Sequence, residues 1–319
     1  MGVHLESSQV SHEPLRECTG LRCLMREHPL FFFFFLAYAF SWIVSLPYVL
    51  SIWGILPGNY MTGFMLKQWA GPTLAAATMT RVLEGKPGSA RLRSRIRQWR
   101  AGWHWYLFIL LGIPLLILLG VMLLPGTFAG FRGLSARLLV TYPAYFVVVF
   151  VGVGLPEEIG WRGFALPRMQ QRYGPLGGTL LLGVLWAFWH LLYFFTPDHG
   201  GGPGVASTTL IKNFALFFML VMAMSIIFTW VFNKTKGSIL VASIMHTAID
   251  APQVVWVPAF LNVGQSNSTA GEAGLDLASL ITFGVLALLI LLLTRGRLGY
   301  PPVEGQRLGV GSDRSQRTL

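Results

Sequence analysis

A chain of 319 residues that is 54% hydrophobic and only 12% charged has about half the charged fraction of a soluble domain, which is roughly 25%. This composition excludes an ordinary soluble enzyme, because only a lipid-facing surface needs to be as apolar as a core. The net charge of +11 does not indicate nucleic-acid binding, since the basic residues lie in short segments between apolar runs. The two cysteines, Cys18 and Cys23, precede the first apolar run and provide no disulfide framework.

Eight apolar runs, each near the roughly 20 residues that a spanning helix needs, predict an all-α, polytopic membrane bundle. The fourth run is too long for a straight span and contains Pro156, where we expect a bend or break. We expect residues 1–29 to form a cytoplasmic segment, 30–294 the transmembrane domain, and 295–319 a disordered cytoplasmic tail. The predicted spans are Leu30–Trp53, Tyr60–Leu83, Trp105–Leu124, Leu138–Leu166, Leu176–Phe195, Phe214–Phe232, Ser238–Val257 and Leu277–Leu293.

The basic residues indicate the orientation of these spans. Twenty Lys and Arg residues fall on the same side as both termini, against four on the other side. The positive-inside rule therefore places both termini in the cytoplasm. The densest basic stretch, from Arg91 to Arg100, lies between two spans, so we expect it to contact anionic lipid at about 1 kcal/mol per basic residue.

Three short clusters of ionisable residues lie inside the predicted spans, where an ionised side chain costs about 2.5–3.5 kcal/mol. Such residues are functional candidates, and they must pair with one another or with water. Their depths from the cytoplasmic side agree within one or two helical turns, so the clusters can converge. The clusters are Glu157, Glu158 and Arg162 in the first, His190 in the second, and His246 with Asp250 in the third.

The spacing within the clusters predicts their pairing. Glu158 and Arg162 are four residues apart and can form an ion pair on one helix face, and the same spacing lets His246 and Asp250 face one cavity. Glu157 points about 100° away from Glu158 and would remain free for water, as a general base requires. Structural interpretations stay open. The two glutamates could start a helix after Pro156, His190 could be a buried donor to a carbonyl, and the His246 cluster could be an interhelical hydrogen bond.

At these residues the chain resembles the CAAX prenyl endopeptidase family, the CPBP group that includes the bacteriocin-processing Abi proteins. The pattern Glu-Glu-x-x-x-Arg is matched at 157–162, and His-x-x-x-Asn/Asp at 246–250. The pattern Phe-x-x-x-His is matched with Trp186 in place of Phe before His190, which alters the pocket shape more than the chemistry. The resemblance covers about residues 142–251.

The resemblance implies an intramembrane endopeptidase whose substrate is a membrane-associated peptide or protein, prenylated in the case that gives the family its name. By the same resemblance, Glu157 and His190 would activate water, and His246 and Asp250 would stabilise the oxyanion. Glu157, His190 and His246 match a Zn²⁺ ligand set in type, but the chain has no His-Glu-x-x-His motif. Metal-assisted and metal-independent water activation therefore both remain open.

Two other classes of function are compatible with buried ionisable residues. One is a non-enzymatic bacteriocin-immunity or accessory membrane protein, which would use the clusters structurally. The other is a proton-coupled transporter with the carboxylates as a relay, although the chain shows no internal repeat. Serine and diaspartyl intramembrane proteases are disfavoured, because the chain lacks Gly-x-Ser-x-Gly and has a single aspartate within the spans.

Overall fold

The computed structural model describes residues 20–123, 136–255 and 269–301, and within these ranges the protein is an all-α bundle without β-strands. The predicted fold class is therefore confirmed. Most of the predicted N-terminal segment and most of the predicted tail lie outside the described residues. So do Leu124 and Val257, the last residues of two predicted spans. The helices are α1 (Leu21–Glu27), α2 (Pro29–Ile52), α3 (Met61–Gln68), α4 (Leu74–Ile96), α5 (Trp103–Leu107), α6 (Ile113–Met122), α7 (Ala136–Val149), α8 (Leu155–Gly160), α9 (Leu166–Trp189), α10 (Ser207–Lys234), α11 (Ile239–Val255) and α12 (Thr269–Thr294).

Several of these helices are long and apolar enough to cross a membrane, so the chain is an integral membrane protein. The predicted second span, Tyr60–Leu83, does not qualify by length and composition, and α11 contributes only the shorter apolar helix Ile239–Pro252. The predicted count of eight transmembrane spans is thus not confirmed. In the described part of the chain, the five qualifying stretches are Pro29–Ile52, Trp103–Met122, Leu138–Phe195, Ser207–Lys234 and Asp276–Thr294.

Glycines in the left-handed region break two of the longest helices. Gly174 has φ 74° and ψ 169° inside α9, directly before Pro175, so the predicted fourth and fifth spans are separate helices within one continuous stretch. Gly85 has φ 64° inside α4 and separates its apolar first half from the basic second half. A residue without Cβ adopts these angles at no steric cost, and a proline soon after it starts the next helix.

Prolines also account for a recurring distortion, a π-helical turn at or just before Pro72, Pro114, Pro156 and Pro167. Proline has no N–H, so the carbonyls four and five residues earlier lose a donor and the helix widens. Side chains from other helices then satisfy some of these carbonyls. The π-turns are Trp69–Thr73, Phe108–Gly112, Phe150–Gly154 and Trp161–Ala165.

Two of the substitute donors come from the N-terminal half of the bundle. Ser41 Oγ donates to the carbonyl of Lys67, five residues before Pro72, at 2.7 Å. Trp69 Nε1 donates to the carbonyl of Val151, five residues before Pro156, at 3.0 Å. The expected break at Pro156 is therefore a widened turn with a tertiary hydrogen bond.

Helix α8, which carries the glutamate pair, lies at the centre of the bundle between two π-turns. It packs against α4 and α11, while α10 packs against α9 and α12. The surrounding core is rich in aromatic side chains that are fully or almost fully buried. These include Phe33, Trp161, Phe164, Trp186, Trp189 and Phe228.

Candidate active site

Two glycines let neighbouring helices approach the glutamate pair closely. A Cβ on Gly154 would lie 2.7 Å from the carbonyl oxygen of Ser243 on α11. A Cβ on Gly160 would lie 2.4 Å from the Cβ of Pro72. Real Cβ atoms do not approach other atoms so closely, so these glycines set the distance from α8 to its neighbours.

Glu158 is the centre of a buried chain of charged groups. Its Oε1 accepts from Arg162 Nη1 at 2.9 Å and from His246 Nδ1 at 2.8 Å. His246 Nε2 lies 3.4 Å from Asp250 Oδ2. The Glu158 and Arg162 side chains are fully buried, whereas the Asp250 side chain is 36% exposed. The i,i+4 pairings predicted for Glu158 with Arg162 and for His246 with Asp250 are thus present, and one hydrogen bond joins them.

Glu157 is also held in place, which the expectation of a carboxylate free for water did not include. Its Oε2 accepts from Trp161 Nε1 at 3.2 Å and from Trp186 Nε1 at 2.9 Å. The residue is 1% exposed. Two indole N–H groups fix the carboxylate without a full positive charge beside it, so Glu157 and Glu158 have different partners and different environments.

Trp186 connects the clusters. Its ring centroid lies 6.0 Å from that of His190 and 5.6 Å from that of His246. Arg162 lies between two aromatic faces, with its Cζ 4.4 Å from the Trp186 centroid and 4.1 Å from the Phe228 centroid. The rings shield the guanidinium from solvent and stabilise its charge.

His190 begins a short 3₁₀ helix, His190–Phe195, at the end of α9. Its Nδ1 is 2.9 Å from the carbonyl oxygen of Trp186, and because a carbonyl only accepts, Nδ1 carries the proton. In the neutral ring, Nε2 is then the acceptor. The ring stacks on Tyr193 at 5.3 Å and joins the other clusters through Trp186.

The predicted zinc ligands are not arranged as a ligand set. Among the described residues, no group of three or more His, Cys, Asp or Glu side chains is placed to hold a metal ion. One oxygen of Glu157 is instead directed at two indoles. The residues Glu157, His190 and His246 therefore do not fit a metal in this geometry, and no chemical step is assigned to one.

Sequence analysis missed several residues of the site. Trp161 stands four residues after Glu157, the same spacing that predicted the pair Glu158–Arg162, so this contact was open to prediction. Phe228 had no such signal, because its place under Arg162 and His246 depends on the packing of α10. Phe33 and Phe34, which pack on Trp161, likewise come from a distant helix.

Comparison with known proteins matches the segment that carries these residues. Residues 139–252, which contain all three clusters, match the model of a family described as type II CAAX prenyl endopeptidase, Rce1-like. This segment is therefore similar to the CAAX prenyl endopeptidases. CAAX prenyl protease 2 of Methanococcus maripaludis is 32% identical over 97 residues, which are 30% of this chain and 35% of that relative. The chain thus aligns with about a third of the relative's length.

Within the matched segment, Trp186 affects more than the shape of the pocket. Phenylalanine, the residue of the family pattern at this place, has no hydrogen-bond donor, whereas the Trp186 indole donates to Glu157. The substitution therefore changes the hydrogen bonding of the carboxylate as well as the shape of the pocket.

Proposed function

We propose that this protein is a CAAX-type intramembrane endopeptidase that hydrolyses a peptide bond with glutamate-activated water. The observation that carries the proposal is the buried Glu157 carboxylate, held by two indoles beside the Glu158–His246–Asp250 chain. The match of residues 139–252 to the CAAX prenyl endopeptidase model supports the same reaction class.

Glu157 is proposed as the general base. A carboxylate fixed by two N–H donors keeps its orientation, and its remaining lone pairs can accept the proton of an attacking water. His190 is proposed to hold that water through Nε2, which its Nδ1–H bond to the Trp186 carbonyl leaves as the acceptor. The proton that Glu157 takes from water is then available for the leaving amine.

His246 and Asp250 are proposed to act on the scissile carbonyl. In the imidazolium form, both ring nitrogens of His246 carry protons, one directed at Glu158 and one at Asp250. The 3.4 Å separation of Nε2 from Asp250 is longer than a normal hydrogen bond, so a substrate oxygen can compete for that N–H. As the tetrahedral intermediate forms, its negative oxygen would accept from Nε2, the type of donor that an oxyanion hole provides. Glu158 holds the ring through Nδ1, and Arg162 balances the charge of Glu158.

The proposed substrate is a membrane-associated peptide or protein carrying a prenyl chain, as the name of the M. maripaludis relative suggests. An apolar groove of about 550 Å³ lies between α2 and α9, lined by Phe31, Phe34, Phe35, Tyr38, Ala39 and Leu185. Phe34 stacks on Trp161 at 6.1 Å, and Trp161 donates to Glu157. A hydrocarbon chain in this groove would therefore be separated from the proposed base by two aromatic rings, those of Phe34 and Trp161.

A peptide panel tests the proposal. Purified protein in detergent is incubated with matched farnesylated and plain peptides, and products are identified by mass spectrometry. Glu157→Gln should reduce cleavage by about 10²–10⁴-fold, because the amide accepts the indole hydrogen bonds but takes no proton from water. Glu27→Gln, at an exposed position, is the matched control. If the wild-type protein cut no peptide, the immunity or accessory interpretation would become the stronger one.

Treatment with a chelator tests the metal question separately. Because the side chains are not arranged as a ligand set, we expect cleavage to be unchanged after incubation with 1,10-phenanthroline. Loss of activity that zinc restores would mean that substrate binding assembles ligands that are apart in this structure.

We further propose that both termini are cytoplasmic, as the charge distribution predicts. Reporter fusions after Arg100 and after Arg295 should both give cytoplasmic signals. A periplasmic signal at either position would overturn the orientation.

A further inference from the structure

The π-turn Trp161–Ala165 leaves one carbonyl of the glutamate segment without a backbone donor. The N–H of Leu166 donates to the carbonyl of Trp161, five residues back. The next residue, Pro167, has no N–H. The carbonyl of Arg162 therefore receives no hydrogen bond from the residue four or five positions later. A buried carbonyl needs another donor.

Arg95, from the basic second half of α4, supplies that donor. Its Nη2 donates to the carbonyl of Arg162 at 3.3 Å, and its Nη1 to the carbonyl of Gly163 at 3.1 Å. Burial, with a smaller effect from Arg168, lowers the pKa of Arg95 to about 10, so the guanidinium remains charged at neutral pH. The other arginines of this stretch, Arg91, Arg93, Arg97 and Arg100, are exposed.

The third donor of the same guanidinium reaches a different helix. Arg95 Nε donates to the carbonyl of Gly237 at 3.0 Å, in the turn before α11. Gly237 has φ +74°, and a Cβ there would lie 3.3 Å from Arg95 Nη2. Helix α11 carries His246 nine residues further on, about 13 Å along a rigid helix at 1.5 Å per residue.

We propose that Arg95 is a positioning residue that sets the placement of Glu158 relative to His246. It joins the π-turn after α8 to the start of α11, and α8 and α11 supply the 2.8 Å bond between Glu158 and His246. A single planar guanidinium makes all three bonds, so the distance between the two backbone segments is fixed by its geometry. The geometric link is independent of the proposed function. The expected effect on cleavage rests on the proposed function.

Neighbouring contacts explain why other residues do not replace this link. Gln98 Nε2 donates to the carbonyl of Thr235, and Ser238 Oγ donates to the carbonyl of Gln98. Both bonds attach the basic stretch to the turn before α11, and neither reaches the π-turn. Among the described residues, Arg91 pairs with Glu84, which also pairs with Arg168. Arg168 Nη1 donates to the carbonyl of Phe164 in the π-turn, not to the turn before α11. Among these side chains, Arg95 is thus the one whose bonds reach both turns.

Hydrogen–deuterium exchange of the full-length protein tests the geometric part without a substrate. In Arg95→Gln, amides of peptides covering 162–168 and 237–245 should exchange faster than in the wild type. Arg95→Lys keeps the charge but offers one ammonium in place of a three-donor fork, so it should also increase exchange. Arg93→Gln removes a charge from the same stretch at an exposed position, and it should leave both peptides unchanged. Equal exchange in wild type and Arg95→Gln would overturn the proposal.

Cleavage assays test the catalytic consequence. A displacement of about 1 Å at a reacting group can cost about 10²-fold in rate, so Arg95→Gln should lower kcat by up to about 10²-fold while KM stays near its wild-type value. Adding millimolar ethylguanidinium to Arg95→Ala should restore part of kcat and slow the exchange again, whereas propylamine should not. Faster exchange with unchanged kcat would overturn the positioning role. If the wild type cut no peptide but Arg95→Gln still exchanged faster than the wild type, the proposed function would be refuted and the geometric link would stand.

Discussion

Trp186 donates its indole N–H to Glu157 Oε2 over 2.9 Å, at the place where the CAAX endopeptidase pattern carries phenylalanine. The same carboxylate oxygen accepts from Trp161, four residues along the helix. Hydrogen bonds to a charged group contribute about 1.5–3 kcal/mol each, so the position of the proposed base depends on both indoles.

Trp186→Phe should therefore lower kcat by about tenfold while the protein still folds, since the loss of one charged hydrogen bond corresponds to at least that factor. Phenylalanine fits the site sterically and retains an aromatic face against Arg162. The measurement is kcat on the peptide that the wild type cuts best, together with the folded yield from size-exclusion chromatography.

Trp189→Phe is the matched control for this prediction. Trp189 is 2% exposed, and its Nε1 has no hydrogen-bond partner among the described residues. The substitution removes a buried indole without removing a hydrogen bond to Glu157. Equal losses of kcat in the two variants would attribute the Trp186 effect to packing alone.

The sequence was sufficient to predict contacts that depend on helical spacing. The pairs Glu158–Arg162 and His246–Asp250 follow from a separation of four residues, because the geometry of a helix turn is local. The contact between Glu157 and Trp161 obeys the same rule and could have been predicted.

Other features required knowledge of tertiary packing. The three carbonyls that Arg95 contacts are 67 to 142 residues away in the chain, and no local pattern specifies that distance. The number of spans was harder to predict because Gly174 ends a helix without a long polar loop. The segment Tyr60–Leu83 contains Lys67 and Pro72, so its hydropathy is too low to identify a span.

Gly160→Ala should destabilise the protein. The new Cβ would lie 2.4 Å from the Pro72 Cβ and 2.8 Å from its carbonyl oxygen, and backbone cannot move aside as a flexible side chain can. Overpacking of this kind costs about 1–3 kcal/mol. The thermal unfolding midpoint in detergent measures the effect. Gly152→Ala is the control, because a Cβ at Gly152 meets no atom within 4 Å and its midpoint should not fall.

Stability should decline as the pH falls from 6.5 towards 4, in part because of His199. Burial, together with the charge of Lys67, lowers the pKa of His199 to about 4 from its usual 6.5. Between these values the unfolded chain binds a proton that the folded protein excludes, so unfolding is favoured as pH decreases, and above 6.5 the effect disappears. In His199→Gln, the thermal unfolding midpoint should change less with pH between pH 7.5 and 5 than it does in the wild type. His104→Gln, at an exposed position, should leave the wild-type dependence intact.

The ion pair of Glu158 with Arg162 should stabilise the fold rather than take part in the chemistry. Both side chains are fully buried, so Arg162→Met leaves a buried carboxylate with His246 as its remaining partner. Breaking a buried pair on one side costs about 3–5 kcal/mol. The double variant Glu158→Gln with Arg162→Met removes both charges and should recover much of that loss, since a neutral amide needs no counter-charge. The measurements are the folded yield and the unfolding midpoint of the wild type, both single variants and the double variant. Together they give the coupling between the Glu158 and Arg162 charges. A double variant no more stable than Arg162→Met would show that the aromatic contacts of Arg162, rather than its charge, stabilise the helix.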